Sequence, residues 1–279
     1  AAPLACTNGI SHGILRGFDR LIASGWTLNS VNAVDSAIRH LKAFDEADLF
    51  LFLLANDVHP YDALDFKFDT AVETHMALSE RIFNQKVPAA AVRLPSLYIH
   101  QEQYLERIRQ VDRNLGQLFS YLETHFSEDE YLVNLYSDHG VSIFNSSTAA
   151  VDVISENSTH AAWMMRGAGV PEGVVVHDLT STVDIYPTLG HLCGFPVNDD
   201  IDGRLPALFG GTPRDAVYSA SQYPGQTYKL AVRTHDHTMR VETQEPVDED
   251  GTVDFMITRA GIYPRGRELE TGCAVHRED

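Results

Sequence analysis

The sequence YLVNLYSDHG at residues 131–140 decides the fold of this chain, because it joins a short apolar run to a polar cluster. Its first six residues have the length and composition of a buried β-strand. Its last four residues place Asp138 and His139 where that strand ends. Because ligands bind beyond the carboxyl ends of the strands in open α/β sheets, we predict a ligand site at this cluster.

Helices and strands alternate on both sides of this stretch. Apolar residues recur at helical spacing in several segments, and the segment before the acidic turn carries one continuous apolar stripe. The predicted elements, in chain order, are a helix at 30–44, a buried strand at 49–55, a helix at 101–125, strands at 131–136 and 161–166, and a helix at 179–193 that is interrupted near Pro187. This layering is typical of the α/β class.

The pattern changes beyond Pro213 to short extended runs at 229–233, 238–243 and 252–257, separated by turn signals. These runs predict a small antiparallel sheet, with the acidic stretch 245–250 as a solvated hairpin turn. We therefore predict an α/β domain at 1–212 and a C-terminal antiparallel β subdomain at 213–279.

Composition limits the possible partners. The 279 residues are 44% hydrophobic, which is enough to bury a sizeable core. The net charge of −18 repels a phosphate backbone and argues against nucleic acid as a partner. Any sulfate or phosphate chemistry here needs a bound cation or local basic groups. No apolar run approaches the about 18 residues of a membrane span, and the sequence leaves localisation open, with the cytoplasm slightly favoured over secretion.

Asp138 and His139 are the first candidates for chemistry. They supply a carboxylate oxygen and an imidazole nitrogen, which together suit a divalent cation, and Gly140 allows a sharp turn beside them. The alternative is an ordinary turn in which the aspartate caps a helix. A second polar cluster follows the predicted strand at 49–55, where Asp57 and His59 precede a proline that stops ladder pairing.

The SDHG stretch at 137–140 resembles the signature of the sulfatase family of the alkaline-phosphatase-like superfamily. Further landmarks of that family occur in family order over roughly residues 14–210, at 17–19, 50–61, 104–116, 183–189, 193–195 and 202–204. The final part resembles the four-stranded C-terminal subdomain of the family. The resemblance implies an alkaline-phosphatase-like sandwich, a mixed sheet flanked by helices, with a small C-terminal antiparallel sheet.

This resemblance also implies roles for individual residues. Asp138 and His139 would bind a divalent metal ion, calcium foremost, with magnesium, manganese or zinc as alternatives. His59 and His160 would be the catalytic residues that contact the substrate anion or the leaving-group oxygen. For both histidines the alternative is a hydrogen-bonded residue at a strand end, and His160 also suits a phosphodiesterase-like or second-metal arrangement. Asp57 is either a ligand, as in two-metal relatives, or a turn carboxylate.

The nucleophile of the family is a formylglycine made from Cys or Ser, or an unmodified Thr or Ser. Cys6 is followed by Thr7 and lacks the Cys-x-Pro-x-Arg pattern, so we reject both residues and find no nucleophile in this chain. We therefore expect the nucleophile, and any formylglycine, in a missing N-terminal segment of the same protein. The 279-residue chain is then an incomplete portion that is inactive alone.

The leading interpretation is a metal-dependent sulfatase, a sulfuric ester hydrolase acting on small anionic esters such as sulfated sugars or aryl or alkyl sulfates. A phosphodiesterase or phosphonate-ester hydrolase on the same scaffold is the nearest alternative. A non-catalytic module that keeps the fold without the chemistry is the third, because fold alone does not fix function.

Overall fold

A computed structural model describes residues 18–19, 29–55, 57–58, 101–140, 154–222 and 225–267. The chain divides into two compact units, with the described residues up to 127 in the first and those from 128 onward in the second. The predicted domain boundary at residue 213 stays a prediction.

Two helices form the framework of the first unit. Helix α1 spans Ser30–Ala43, helix α2 spans Gln101–His125, and the two pack against each other. Both occur where apolar spacing predicted them. The residues they bury include Val34, Leu118 and Leu122, whereas Val31, which the spacing placed on the same face as Val34, is exposed.

The apolar run at 49–55 does not form the predicted buried strand. Most of its large side chains are exposed, and Phe50 is 69% exposed. A run that is apolar on both faces is stable as a strand only with neighbouring strands and with layers on both faces. The residues described in this unit include no strand that pairs with it.

The second unit begins with a two-stranded antiparallel sheet. Strand β1 spans Leu132–Tyr136, the short helix α3 spans Glu156–Thr159, and strand β2 spans Trp163–Gly167. The register runs from Leu132 opposite Gly167 to Tyr136 opposite Trp163. Both strands confirm the sequence prediction, and their pairing places the end of β1 beside the start of β2.

The predicted helix at 179–193 is a 3-10 turn, Thr182–Asp184, followed by helix α4, Ile185–Cys193. The expected interruption near Pro187 is wrong. Pro187 lies in the first turn of α4, where backbone N–H groups have no intrahelical partner, so a proline costs little there. The helix ends at Gly194, whose φ of 73° is the left-handed conformation that favours glycine.

The second unit ends in a four-stranded antiparallel sheet of order β3-β4-β5-β6. Its strands are β3 at Val217–Ser221, β4 at Thr227–Arg233, β5 at His237–Pro246 and β6 at Ile257–Pro264. The predicted runs at 229–233 and 238–243 are confirmed as β4 and β5. The run predicted at 252–257 is misplaced, since residues 252–256 connect the strands and pairing begins at Ile257 opposite Thr243.

One face of this sheet is buried within the second unit. Ala231, Arg233 and Thr238 lie on that face and are almost completely inaccessible to solvent. The burial of a charged guanidinium among them requires ionic partners. Across the described parts of both units, no helix is long and apolar enough to cross a membrane.

Candidate functional site at the end of strand β1

The antiparallel pairing of β1 and β2 continues into the polar residues beyond it. The Ser137 N–H donates to the Ala162 carbonyl at 3.0 Å, and the Ala162 N–H donates to Ser137 Oγ at 2.8 Å. The Gly140 N–H donates to the Ser158 carbonyl at 2.8 Å. These bonds hold the SDHG stretch beside the segment that carries His160.

Gly140 permits this close approach. A Cβ atom at this position would lie 2.3 Å from the Asn157 carbonyl oxygen and 3.0 Å from the His160 carbonyl oxygen. Both contacts are with backbone, which cannot swing aside as a flexible side chain can. Residue 140 therefore has to be glycine for steric reasons. The conformational freedom of glycine in the turn is a separate advantage.

Asp138 and His139 are each anchored to the backbone through one atom. Asp138 Oδ1 accepts the His139 N–H at 2.9 Å, and His139 Nδ1 lies 2.7 Å from the Gly140 carbonyl oxygen. Because a carbonyl oxygen only accepts, Nδ1 must carry the proton of that bond. The remaining atoms, Asp138 Oδ2 and His139 Nε2, lie 3.6 Å apart on largely exposed side chains.

This arrangement fits two ligands of a divalent cation. Histidines that bind metals usually donate their other ring N–H to a carbonyl or carboxylate, which fixes the tautomer and the ring orientation. In the described part of the chain, no group of three or more His, Cys, Asp and Glu side chains converges on a common point. The described residues thus offer two donors to such a cation and no third one beside them.

His160 lies on the segment that faces the SDHG stretch. It follows α3 directly, its N–H donates to the Glu156 carbonyl at 2.8 Å, and its side chain is exposed. The structure thus brings the backbones of Asp138, His139 and His160 to one end of the two-stranded sheet. His59 lies outside the described residues, and its predicted role stays a prediction.

Asp57 serves as a helix-terminal carboxylate in the first unit. Its two carboxylate oxygens accept hydrogen bonds from the N–H and the hydroxyl of Ser30, at 2.6 and 2.7 Å, at the first residue of α1. Asn114 donates to the same hydroxyl at 2.7 Å. A carboxylate at a helix N-terminus satisfies unpaired N–H groups and the helix dipole. Of the two alternatives for Asp57, the structure shows the turn carboxylate.

The sequence did not indicate a set of three charged residues that contact one another beside the site. Glu156, the first residue of α3, is held by Arg233 of β4 and by Arg265 in the turn after β6. Glu156 and Arg265 are 109 residues apart, and no spacing rule connects residues at such a distance. The sequence near them carries no motif that could have indicated the contact.

Comparison with known proteins gives the family and the fold class of this chain. The family model described as Sulfatase matches residues 27–195, more than half of the chain. The chain belongs to the sulfatase family. The expectation drawn from the SDHG stretch is confirmed, as are the α/β class and the alkaline-phosphatase-like fold with its small C-terminal antiparallel sheet.

Individual relatives show how much of the fold this chain represents. A sulfatase of Formosa agariphila is 26% identical over 156 residues, which are 54% of this chain and 29% of that protein. A Bacteroides thetaiotaomicron structure from a genetic locus for the metabolism of multiple glycosaminoglycans superposes with a TM-score of 0.61 at 17% identity. That match covers 84% of this chain and 52% of the Bacteroides chain.

A third similar structure is a phosphonate monoester hydrolase from Silicibacter pomeroyi, with a TM-score of 0.53 and 18% identity over 94% of this chain and 63% of that one. The fold is therefore similar to that of proteins with different ester chemistries. The chain spans only part of the length of each of these three proteins.

Proposed function

We propose that the complete protein is a metal-dependent hydrolase of sulfate esters and that this chain supplies part of its metal and substrate site. Membership of the sulfatase family supports a hydrolase of this class. The observation that carries the proposal is the geometry of Asp138 and His139. Each is fixed to the backbone by one atom and presents the other, Oδ2 and Nε2, at a separation of 3.6 Å.

Asp138 Oδ2 and His139 Nε2 are the atoms that would hold the cation, and calcium is the proposed ion because sulfatases commonly use it. The bound cation would supply positive charge that draws the ester oxygens in and offsets the charge developing on them. Such charge is needed because the chain has a net charge of −18.

His160 would contact the substrate anion from the neighbouring segment. Its exposed side chain follows α3 beside the SDHG stretch, so an imidazole N–H is available to an ester oxygen bound there. His59 is proposed to contact the sulfate or the leaving-group oxygen as well. Both histidines would orient the ester and would stabilise its negative charge through hydrogen bonds.

The nucleophile is proposed to lie outside these 279 residues, as a formylglycine or an unmodified hydroxyl. The Formosa agariphila relative is matched over only 29% of its length, which leaves ample chain for such a segment in a complete enzyme. We expect the 279-residue chain alone to show no turnover, because the covalent step requires the nucleophile. Detectable sulfatase turnover by the purified chain would contradict this expectation.

A phosphonate or phosphodiester substrate is the second candidate, favoured by the similarity to the Silicibacter pomeroyi phosphonate monoester hydrolase. Sulfate monoesters and phosphonate monoesters each present one negative charge and similar tetrahedral oxygens. The described residues would hold either anion through the same donors. The substrate class therefore has to be measured on the complete protein.

The test is hydrolysis of an aryl sulfate and of an aryl phosphonate monoester by the complete gene product, with calcium, with manganese and after chelation. Asp138→Ala should lower turnover by roughly 100-fold or more, because it removes a metal ligand. Asp199→Ala is the matched control, since it removes an exposed carboxylate that belongs to the same unit and is distant in sequence from the SDHG stretch.

Metal-dependent turnover of the sulfate ester that is lost in Asp138→Ala and kept in Asp199→Ala supports the proposal. Preference for the phosphonate ester would transfer it to the second candidate. Full activity of Asp138→Ala would remove Asp138 from the metal site.

A further inference from the structure

Three charged residues join the C-terminal sheet to the segment that carries His160. Arg265 donates from Nε and Nη2 to Glu156 Oε1, at 3.0 and 2.9 Å. Arg233 Nε lies 2.8 Å from Glu156 Oε2. Both carboxylate oxygens therefore have an arginine partner. We call Glu156, Arg233 and Arg265 the ion cluster.

Two of the three residues of the ion cluster are largely withdrawn from water. The Arg233 side chain is 3% exposed and that of Glu156 is 16% exposed. Charges in such surroundings need a partner of opposite charge, and loss of one partner leaves the others uncompensated. Arg233 also donates a hydrogen bond to the Ile154 carbonyl, so the cluster fixes the chain both before and at the start of α3.

The segment held by the ion cluster has little structure of its own. Helix α3 has only four residues, and a helix so short is not stable in isolation. Yet this segment supplies the Ser158 carbonyl that accepts the Gly140 N–H and the Glu156 carbonyl that accepts the His160 N–H. The positions of the SDHG stretch and of His160 thus depend on a segment that is anchored from the C-terminal sheet.

We propose that the ion cluster is a positioning device, through which the C-terminal sheet sets the placement of His160 relative to Asp138 and His139. Glu156, Arg233 and Arg265 touch neither substrate nor metal in this proposal and act through the backbone of residues 154–160. The consequence for catalysis rests on the proposed sulfatase function. The consequence for local structure does not.

The ion cluster has a matched counterpart elsewhere in the same unit. Asp184 is also buried and also pairs with an arginine, Arg214, and its other hydrogen bonds come from the backbone N–H groups of Ser181 and Arg204. If these carboxylates only stabilised the fold, substitution of Glu156 and substitution of Asp184 would have the same effect on the site. A positioning role would distinguish Glu156 from Asp184.

The first measurement is hydrogen exchange of the 279-residue chain, which needs no activity. In Glu156→Gln, the amides of Gly140 and His160 should exchange at least about 10-fold faster, because the segment that holds them opens locally. In Asp184→Asn, local opening should appear at the Ser181 and Arg204 amides, and the Gly140 and His160 amides should exchange no faster than the rest of the second unit. Unchanged Gly140 and His160 exchange in Glu156→Gln would overturn the proposal.

The second measurement is steady-state kinetics of the complete gene product, under conditions in which each variant is folded. Glu156→Gln should lower kcat roughly 10- to 100-fold and change KM less than about threefold, because the reacting groups are misplaced while binding is largely kept. Asp184→Asn should keep kcat. Arg265→Lys, a milder change at the most exposed member of the cluster, should retain more kcat than Arg265→Gln.

The two measurements separate the proposals. Absence of turnover in the unmodified protein would contradict the sulfatase function, and hydrogen exchange would still decide whether the ion cluster positions the segment. Turnover in the unmodified protein together with an unchanged kcat in Glu156→Gln would contradict the positioning role alone.

Discussion

The sequence predicted strands both in the C-terminal sheet and in the apolar run at 49–55, but only the sheet forms them. Each strand of the sheet pairs with the strand next to it in sequence, across short connections. The run at 49–55 has no paired neighbour in the described part of its unit, and Phe50 is 69% exposed. Antiparallel strands find partners a few residues away, whereas a strand that is apolar on both faces depends on partners that are distant in the chain.

The two units also differ in how deeply their ion pairs are buried. In the second unit, the side chains of Arg214 and Arg233 are largely buried, and each forms an ion pair with a carboxylate. In the first unit, the Arg39–Asp35 and Arg113–Glu106 pairs lie on exposed helix surfaces. Exposed pairs contribute little to stability, whereas disruption of a buried pair is costly. We therefore expect the second unit to be the more sensitive one to loss of a single charge.

The largest expected effect is that of Asp184→Ala. This change removes the partner that raises the pKa of Arg214 through a side-chain hydrogen bond, and it leaves the Ser181 and Arg204 N–H groups without their acceptor. We expect a loss of about 3–5 kcal/mol in the free energy of unfolding. Urea denaturation at pH 7 measures it, with Asp199→Ala as an exposed control. A loss below about 1 kcal/mol would show that local pairing does not stabilise the second unit.

The next comparison lies within the first unit. Leu118 on α2 is 7% exposed, so Leu118→Ala should cost about 2–5 kcal/mol through lost burial and a residual cavity. Phe50→Ala removes a larger side chain but should cost less than about 0.5 kcal/mol, because most of that side chain is already in water. Denaturation of both variants of the 279-residue chain measures the difference. Equal losses would mean that the run at 49–55 is buried in solution.

The apolar pattern predicted helix α2 and also the strands β1 and β2, which pair across a long connection. Helix α2 has the predicted bounds, and β1 and β2 lie within a residue or two of theirs, because apolar spacing reflects the face each element buries. The strand predicted at 49–55 is absent, and the described part of its unit contains no strand that could pair with it. The strand predicted at 252–257 was displaced by a turn whose hydrogen bonds join Asp248 to Thr252 and Gly251.

Some features of the candidate site could be predicted from the sequence, and others depend on contacts that form only on folding. The resemblance of the SDHG stretch to the family signature made Asp138, His139 and His160 candidates from sequence, and their roles stay predictions. The steric role of Gly140 and the contact of Glu156 with Arg265 could not be read from sequence, since each depends on segments that meet only after folding. For Asp57 the sequence left two alternatives, and the nearness of Ser30 in space decided between them.

The smallest expected effect concerns the turn between β5 and β6, where the sequence predicted a solvated acidic hairpin. Asp250 is exposed, and its Oδ1 accepts the Thr252 N–H at 2.9 Å, a bond that lowers the pKa of Asp250 below its ordinary value of 3.8. A carboxyl group whose pKa is lower in the folded state stabilises that state above the unfolded pKa. This contribution is lost as the pH falls through the lower, folded value.

Asp250→Asn should therefore leave stability at pH 7 nearly unchanged and should slightly flatten the decline of stability below about pH 4. Carboxyl NMR titration of the unmodified chain and denaturation of both proteins between pH 2 and pH 7 measure the two effects. Asp250→Glu, which keeps the charge but moves it one methylene away from Thr252, should titrate closer to an ordinary glutamate. An Asp250 pKa at or above 3.8 would mean that the turn does not form this bond in solution, and the hairpin would then owe its register to cross-strand pairing rather than to the turn.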